Sequence, residues 1–306
     1  DYYLYSGDAD FVARNYDFAR SMLEFFAPVT DDTGFLAQSK SPGGWWWFID
    51  WHDLEIGTYN CVMQLLYRQA LASMGALAHA CGHADDAARY DAQAAQLAAQ
   101  INRYFWDEAR GAYVSALDAS LRPSAQVRRH QNLLAVIYGV ADDAKTRRIM
   151  DTVIANDGIP QITTPFFRFF QYDAMFRVGR TADALAGIRA YWGGMLDLGA
   201  TTVWEEFDPH MTGAAHYAMY GEPFDKSLCH AWGAGPLYFI GRHLAGIRPE
   251  TPGCRTYTVT PITDAMDFDV TVPAGDGTIR VRVADGRVTV CATIAGGVLR
   301  VGGRSY

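Results

Sequence analysis

Two apolar rhythms divide the chain. Up to about residue 245, apolar positions return every three or four residues. Val12, Tyr16, Ala19, Leu23 and Phe26 form one such stripe, and Tyr90, Ala94, Leu97, Ile101 and Tyr104 another. This is the spacing of a single buried helix face. From Asn60 to Ala80 the chain is apolar nearly all round, which predicts a helix buried on most sides. Shorter apolar helices are predicted at Gln131 to Tyr138 and Phe166 to Val178, and a final one from Ser227 to Leu244. The stretches share a punctuation: Gly7-Asp8-Ala9-Asp10, Gly82-His83-Ala84-Asp85-Asp86, Gly139-Val140-Ala141-Asp142-Asp143 and Gly179-Arg180-Thr181-Ala182-Asp183. Each glycine can take a positive φ and end a helix, and the small or acidic residues after it suit the first turn of the next. That is the grammar of tight αα-hairpins, and its irregular spacing excludes a fixed-period solenoid. A buried helix followed by an amphipathic one, repeated, suits two concentric rings of helices.

After Gly246-Ile247-Arg248-Pro249 the rhythm shortens to two. Tyr257 and Val259 alternate with threonine, Phe268, Val270 and Val272 with polar residues, and Ile279, Val281 and Val283 with Arg280 and Arg282. Asp285-Gly286 then supplies a type I′ turn into Val288 and Val290. The expectation is a mainly α protein: a helical toroid over residues 1–247, then a small antiparallel β-sandwich over 248–306 that stops at Tyr306 and reads as cut short.

Composition narrows the class of function. Lys+Arg is 26 against 34 Asp+Glu, a formal charge of −8 over 306 residues, which argues against a nucleic-acid partner. No apolar run is long enough to span a bilayer. Five scattered cysteines without a CxxC pair form no disulfide framework. The opening Asp1-Tyr2-Tyr3-Leu4-Tyr5-Ser6-Gly7 reads as the end of a helix and its stop, as at an interior point of a longer protein. The compartment is therefore open, with the cytoplasm as the default. The unusual count is aromatic: 8 Trp, 17 Tyr and 16 Phe.

Those aromatics meet carboxylates in two interhelical segments. One is Trp45-Trp46-Trp47-Phe48-Ile49-Asp50-Trp51-His52-Asp53-Leu54-Glu55, entered from the loop Ser41-Pro42-Gly43-Gly44; the other is Thr201-Thr202-Val203-Trp204-Glu205-Glu206-Phe207-Asp208-Pro209. Indole faces stack on the C–H face of a pyranose, while carboxylates bind hydroxyls and move protons at the anomeric carbon. The bland alternative is buried filler beside solvated acids. Two such segments in one helical domain favour carbohydrate chemistry. Glu205 and Glu206 cannot both face one ligand in an extended segment, so one is expected to be functional and the other a salt-bridge or surface residue. His79, Cys81 and His83 resemble a metal cluster only on paper, since a helix turns Cys81 away from the two histidines. Cys229 beside His230 is a poor nucleophile–base pair, being adjacent in sequence. Neither a metal nor another cofactor is expected.

Gly199-Ala200-Thr201-Thr202-Val203-Trp204-Glu205, then Ser227-Leu228-Cys229-His230-Ala231-Trp232, then Gly246-Ile247-Arg248-Pro249 and Pro252-Gly253 occur in the order seen in bacterial α-L-rhamnosidases of glycoside hydrolase family 78. Phe48-Ile49-Asp50-Trp51 resembles that family's Gly-Asp-Trp segment, with Ile in place of Gly. The resemblance implies an (α/α)6 barrel followed by a β-sandwich, and hydrolysis of terminal α-L-rhamnosides with inversion. It implies that Glu205 is the general base, and that Trp51 and His230 contact the sugar; Asp50, Trp204 and Trp47 are further substrate-binding candidates. Glu206 stands where the family usually has Arg, and Cys229 where Asn is common. The family's general acid belongs to an acidic motif before a Trp-Thr-Gly-Asp string, and neither string occurs here. About nine helices are legible where a closed double ring has twelve. The expectation is thus a barrel lacking its N-terminal part, with Asp50, Asp53 and Glu55 as in-chain candidates for the acid. An exposed apolar face on the first helices, or a second polypeptide covering it, follows from the same reading. A different (α/α)6 glycosidase, or a carbohydrate-binding protein without the acid, remain the alternatives.

Overall fold

Each predicted glycine stop is a real one. In the computed structural model, which describes residues 1–43, 45–301, 304 and 305, Gly7, Gly82, Gly139 and Gly179 all carry positive φ, between 67° and 81°. They join α1 (Tyr2–Ser6) to α2 (Ala9–Glu24), α3 (Cys61–Cys81) to α4 (Ala84–Tyr104), α5 (Arg129–Ile137) to α6 (Asp143–Ile149), and α7 (Pro165–Arg177) to α8 (Thr181–Asp197). Asp8 and Asp142 cap α2 and α6 by accepting from the N–H groups of Phe11 and Lys145. A π turn, Met150–Ile154, prolongs α6. The interhelical segments hold two short antiparallel pairs, β1 (Tyr59–Asn60) with β4 (Ala116–Leu117) and β2 (Trp106–Asp107) with β3 (Ala112–Tyr113).

The alternation of buried and amphipathic helices is visible in the burial. The seven residues Arg129 to Ala135 of α5 are buried on every side, and α7 buries Phe167 and every residue from Gln171 to Phe176. The helix α3 is less enclosed than its composition predicts: Leu65, Leu71, Met74 and Ala78 are buried, but Leu66 is exposed. One continuous core joins residues of all the long helices. On α2, Tyr16 and Leu23 enter this core and Val12 is buried, while Phe11, Phe18, Met22 and Phe25 form an exposed stripe in which Phe18 is 67% accessible. Spacings of seven, four and three place those four on one face. The first helices thus carry the exposed apolar face expected of them.

The final helix is the main departure from the sequence pattern. Ser227 to His230 is not helical, and the helix α9 spans only Pro236–Phe239 before a π turn at Ile240–Leu244. The backbone of 227–230 is committed elsewhere: Ser227 accepts from the Glu205 N–H at 2.9 Å, and the His230 N–H donates to Val203 at 2.8 Å. Pro236 at the first turn then fixes where the helix begins.

The strands from Ile247 onward form two small sheets. One has the order β11 (Arg304–Ser305), β10 (Gly297–Val301), β6 (Tyr257–Val259), β5 (Ile247–Pro249), and the other the order β7 (Phe268–Ala274), β8 (Gly277–Ala284), β9 (Arg287–Ala292). Asp285 and Gly286 both have positive φ, as a type I′ turn requires. The pairing is antiparallel except that β10 runs parallel to β6, because the whole three-stranded sheet intervenes between them in sequence. Ile247, Tyr257, Val259, Ile279 and Val281 form the second core, against which Tyr5 of α1 packs. Tyr5 also accepts from the Gly275 N–H and donates to the Ile247 carbonyl, so the first helix is stitched to the sheets. Among the described residues, no helix is long and apolar enough to cross a membrane.

Candidate active site

The segment 201–209 forms no strand; two backbone bonds hold it against 227–230, from the Glu205 N–H to Ser227 and from the His230 N–H to Val203. Glu205 turns toward the aromatic loop. Its Oε1 accepts from Trp51 Nε1 at 3.2 Å and from the Tyr220 hydroxyl, and its Oε2 accepts from the Ser227 N–H at 3.2 Å. His230 Nδ1 stands 3.8 Å from the same Oε2. Glu206 also lies at the aromatic cavity but forms a buried ion pair with Lys226, Nζ to Oε2 at 2.5 Å. Lys226 also donates to the His216 carbonyl. The two glutamates therefore differ in kind. Glu205 gathers donors from three separate segments, whereas Glu206 is matched to one buried cation.

Glu206, and the Trp51 and Tyr220 that bond Glu205, line this cavity of about 790 Å³ together with Trp46, Trp47, Phe48, Asp50, His52 and Met219 among others, a size that suits a small-molecule ligand. Its aromatic wall is continuous: Trp46 meets Phe48 and Trp51, Phe48 meets Trp51, and Trp51 meets Tyr220, with ring centroids 4.8–5.8 Å apart. Trp47 is held by its indole N–H on the Ser41 hydroxyl at 2.8 Å. Tyr220 is presented by a loop wound on Asp225, whose carboxylate accepts from the N–H groups of Met219, Tyr220 and Glu222. Burial and the adjacent Glu205 carboxylate push the Tyr220 hydroxyl well above its ordinary value, so it remains a donor.

Several sequence candidates occupy other roles. Trp204 is only 3% exposed and packs on Phe207 and Tyr217, so it cannot stack on a ligand in the cavity. The Asp50 side chain is 0% exposed, and its oxygens accept from His130 Nε2, the Thr164 hydroxyl and the Trp51 N–H. Its carboxylate is a buried anchor of the loop, not an open ligand for a sugar hydroxyl. Asp53 extends into solvent against Arg128, and Glu55 borders a separate depression with Gln38, Thr58 and Arg122. Among the described residues, Asp50 and Glu206 are the carboxylates that line the cavity, and both are committed to buried partners, while Glu205 joins its wall through Trp51 and Tyr220. Gly44, part of the loop entrance, lies outside the described residues. The His79–Cys81–His83 string disperses: His79 pairs with Asp91, and His83 packs against Tyr16. Among the described residues, no group of three or more His, Cys, Asp or Glu is arranged to hold a metal ion.

Tyr220, Lys226, His130 and Thr164 were not singled out by the sequence. Tyr220 and Lys226 lie in a stretch without regular rhythm. His130 and Thr164 sit at the starts of α5 and α7, where they read as helix-terminus residues.

Hairpins of helices whose connecting segments converge on a carboxylate beneath tryptophans make a glycosidase-like domain. Residues 1–244 match the family described as bacterial alpha-L-rhamnosidase 6 hairpin glycosidase domain, and the chain belongs to that family. Among solved structures it resembles the GH78 rhamnosidase of Bacillus sp. GL1, at 27% identity and a TM-score of 0.82 over 97% of this chain and 32% of that one. A Klebsiella oxytoca rhamnosidase with rhamnose bound matches at 27% identity and a TM-score of 0.59, over 74% of this chain and 42% of that one. The Streptomyces avermitilis α-L-rhamnosidase, solved with L-rhamnose, shares the fold at 15% identity and a TM-score of 0.71, over 97% of this chain and 28% of that one. The chain thus spans about a third of the length of the structures it matches. No curated protein sequence matches it.

Proposed function

We propose that the chain carries the base side of an inverting α-L-rhamnosidase site, with Glu205 as the general base and Trp51, Trp47 and His230 around the sugar. The observation that carries this reading is the Glu205 carboxylate, held by Trp51, Tyr220 and Ser227 beside an aromatic cavity. Inversion requires a carboxylate that activates water on one face of the sugar and a protonated acid on the other, about 6.5–9.5 Å away. In this geometry Glu205 takes the proton of the attacking water, while its three donors fix the carboxylate plane. The aromatic wall holds the apolar face of the pyranose and excludes bulk water. Neither proton transfer nor oxocarbenium stabilisation of this kind needs a metal or an organic cofactor.

The acid is assigned to a second polypeptide or chain segment seated over the exposed Phe11–Phe18–Met22–Phe25 face. Two features support that: the carboxylates that line the cavity, Asp50 and Glu206, are committed, and the stripe is apolar. The helical unit is taken as residues 1–247 and the sheets as 248–306. The same committed carboxylates favour, as the second reading, a rhamnose-binding protein without turnover. Assay of an aryl α-L-rhamnoside beside an aryl α-glucoside, with and without a second polypeptide, tests both. Turnover of the rhamnoside with the β-anomer of rhamnose released first supports the proposal. Rhamnose binding without turnover under every condition selects the second reading, and preference for the glucoside overturns both.

A further inference from the structure

The aromatic loop has no ladder of its own, since residues 45–58 contain neither helix nor strand. Something else must fix its tryptophans. Asp50 is the point at which it is tied to the helical scaffold from inside. One carboxylate oxygen, Oδ2, accepts from His130 Nε2 at 2.8 Å and from the Thr164 hydroxyl at 2.8 Å. The other accepts from the Trp51 N–H at 2.9 Å, and the Asp50 carbonyl accepts from the His52 N–H at 2.9 Å. All three side chains are buried, so water does not compete for these bonds.

The two donors come from the starts of different helices. His130 is in the first turn of α5, and Thr164 is the N-cap residue of α7. A threonine in that position ordinarily turns its hydroxyl onto a free N–H of its own helix. Here it makes no such bond and reaches Asp50 instead. His130 is likewise directed. Burial holds it below the ordinary histidine value despite the pull of Asp50, which leaves a neutral ring with one N–H. That N–H faces Asp50, while Nδ1 has no partner. The ring is wedged between Phe167 and His52, at 4.4 and 5.2 Å between centroids, so it cannot swing to another acceptor without displacing them.

We infer that His130 and Thr164 are positioning residues of the sugar site, setting the Trp51 indole against Glu205 through the buried Asp50 carboxylate. They contact no ligand themselves. Their effect passes through one backbone N–H and one indole: Asp50 fixes the Trp51 backbone, and Trp51 Nε1 then reaches Glu205. The inference rests on the reading of Trp51 and Glu205 as sugar-site residues, but the placement of Trp51 can be measured without turnover.

The test uses the 306-residue chain labelled with 5-fluorotryptophan, the Trp51 resonance being assigned with Trp51→Phe. The isosteric Thr164→Val removes one donor and keeps the volume. The expected result is a displaced or broadened Trp51 resonance, an unmoved Trp192 resonance, and rhamnose affinity lowered about 10- to 100-fold, as sub-ångström to ångström misplacement produces. His130→Gln should act in the same direction. Thr164→Ser should restore both signal and affinity, and Ser115→Ala, which removes a buried hydroxyl bonded to Gln131 rather than Asp50, should leave Trp51 unmoved. An unmoved Trp51 resonance in Thr164→Val overturns the proposal. So does equal movement of Trp192, or an equal effect of Ser115→Ala, because either makes the change one of general packing. If the unmodified chain neither binds nor cleaves rhamnosides, the functional reading fails, and the fluorine spectrum still decides whether His130 and Thr164 place Trp51.

Discussion

The two aromatic–acidic segments look alike as strings and divide their labour in opposite ways. Residues 45–55 turn Trp46, Trp47 and Trp51 to the cavity and bury Asp50: Trp46 is 72% exposed, while the Asp50 carboxylate is sealed under His130 and Thr164. Residues 201–209 do the reverse, burying Trp204 and setting the Glu205 carboxylate against Trp51 and Tyr220 of the cavity wall. The difference lies in what each segment packs against. Trp204 packs inward on Phe207 and Tyr217, while the Glu205 carboxylate meets Trp51, Tyr220 and the Ser227 N–H. The aromatic loop instead bends its one inward carboxylate onto the helix starts. A tryptophan beside a carboxylate in sequence therefore does not make either of them available. The site is made by the aromatics of one segment meeting the acid of the other.

The sharpest way to break this comparison is at the adjacent glutamates. Glu205→Gln should cut kcat on an aryl α-L-rhamnoside, measured with the acid-bearing polypeptide present, by about 10²- to 10⁴-fold with an unchanged unfolding midpoint. Glu206→Gln should act on stability, since it leaves the Lys226 ammonium buried without its counter-charge, a loss of about 3–5 kcal/mol. Rates normalised to folded protein separate the two, and a larger chemical defect at Glu206 would reverse their roles. The tryptophans give the next contrast. Trp204→Ala should destabilise by about 3–5 kcal/mol in urea unfolding and leave KM per folded molecule unchanged. Trp51→Ala should instead raise KM with a smaller loss of stability, and a KM effect at Trp204 would place its indole in the cavity after all.

Tyr220→Phe is expected to be milder. It removes one hydroxyl from a carboxylate that keeps two other donors, and the ring is partly solvated. A loss of about 1 kcal/mol, or about 5-fold in kcat/KM, is expected. The smallest effect concerns acid. Burial holds His130 and His243 below the ordinary histidine value of 6.5, so the unfolded chain takes up their protons first. Their contribution is complete above pH 6.5 and is lost as the pH falls from there toward the folded values. Asp173 is opposed by burial, but its bonds to His243 and Arg177 hold it below 3.8, and it adds a second loss beneath that pH. A thermal midpoint that falls on acidification from pH 7 to 5, less steeply in His243→Gln, would show the first stage.

Local rules carried much of the fold. Glycine stops, acidic first turns and the Asp285-Gly286 turn are encoded within a few residues, and each lies where its string predicts. The final helix was over-extended because Ser227 to His230 has helical composition, yet its backbone is claimed by a segment more than twenty residues earlier. The same limit applies at the site. Glu205, Trp51 and His230 converge as expected, since their strings were specific. Tyr220 and Lys226 were silent because their meaning comes only from what the chain folds against them. Asp50 was legible as an acid near tryptophan, but nothing in the string shows that a histidine and a threonine from two other helices close over it.

Arg129 has a consequence for reading mutational screens. It is 1% exposed, faces no carboxylate, and donates to the carbonyls of Ile154, Asn156, Ile159 and Pro160. Burial pushes its guanidinium down to about 10, which still leaves it charged at neutral pH. The stretch it gathers runs directly into Gln161, Thr163 and Thr164, whose groups receive or contact His52, Phe207 and Asp50. A lysine has the charge but not the planar fork that reaches four carbonyls. A survey scored only by product formation would therefore rank this position beside the pocket residues, although Arg129 does not line the cavity. Abundance measured in parallel would separate the two groups, and second-site revertants of Arg129 variants would fall in 154–160 rather than around the cavity.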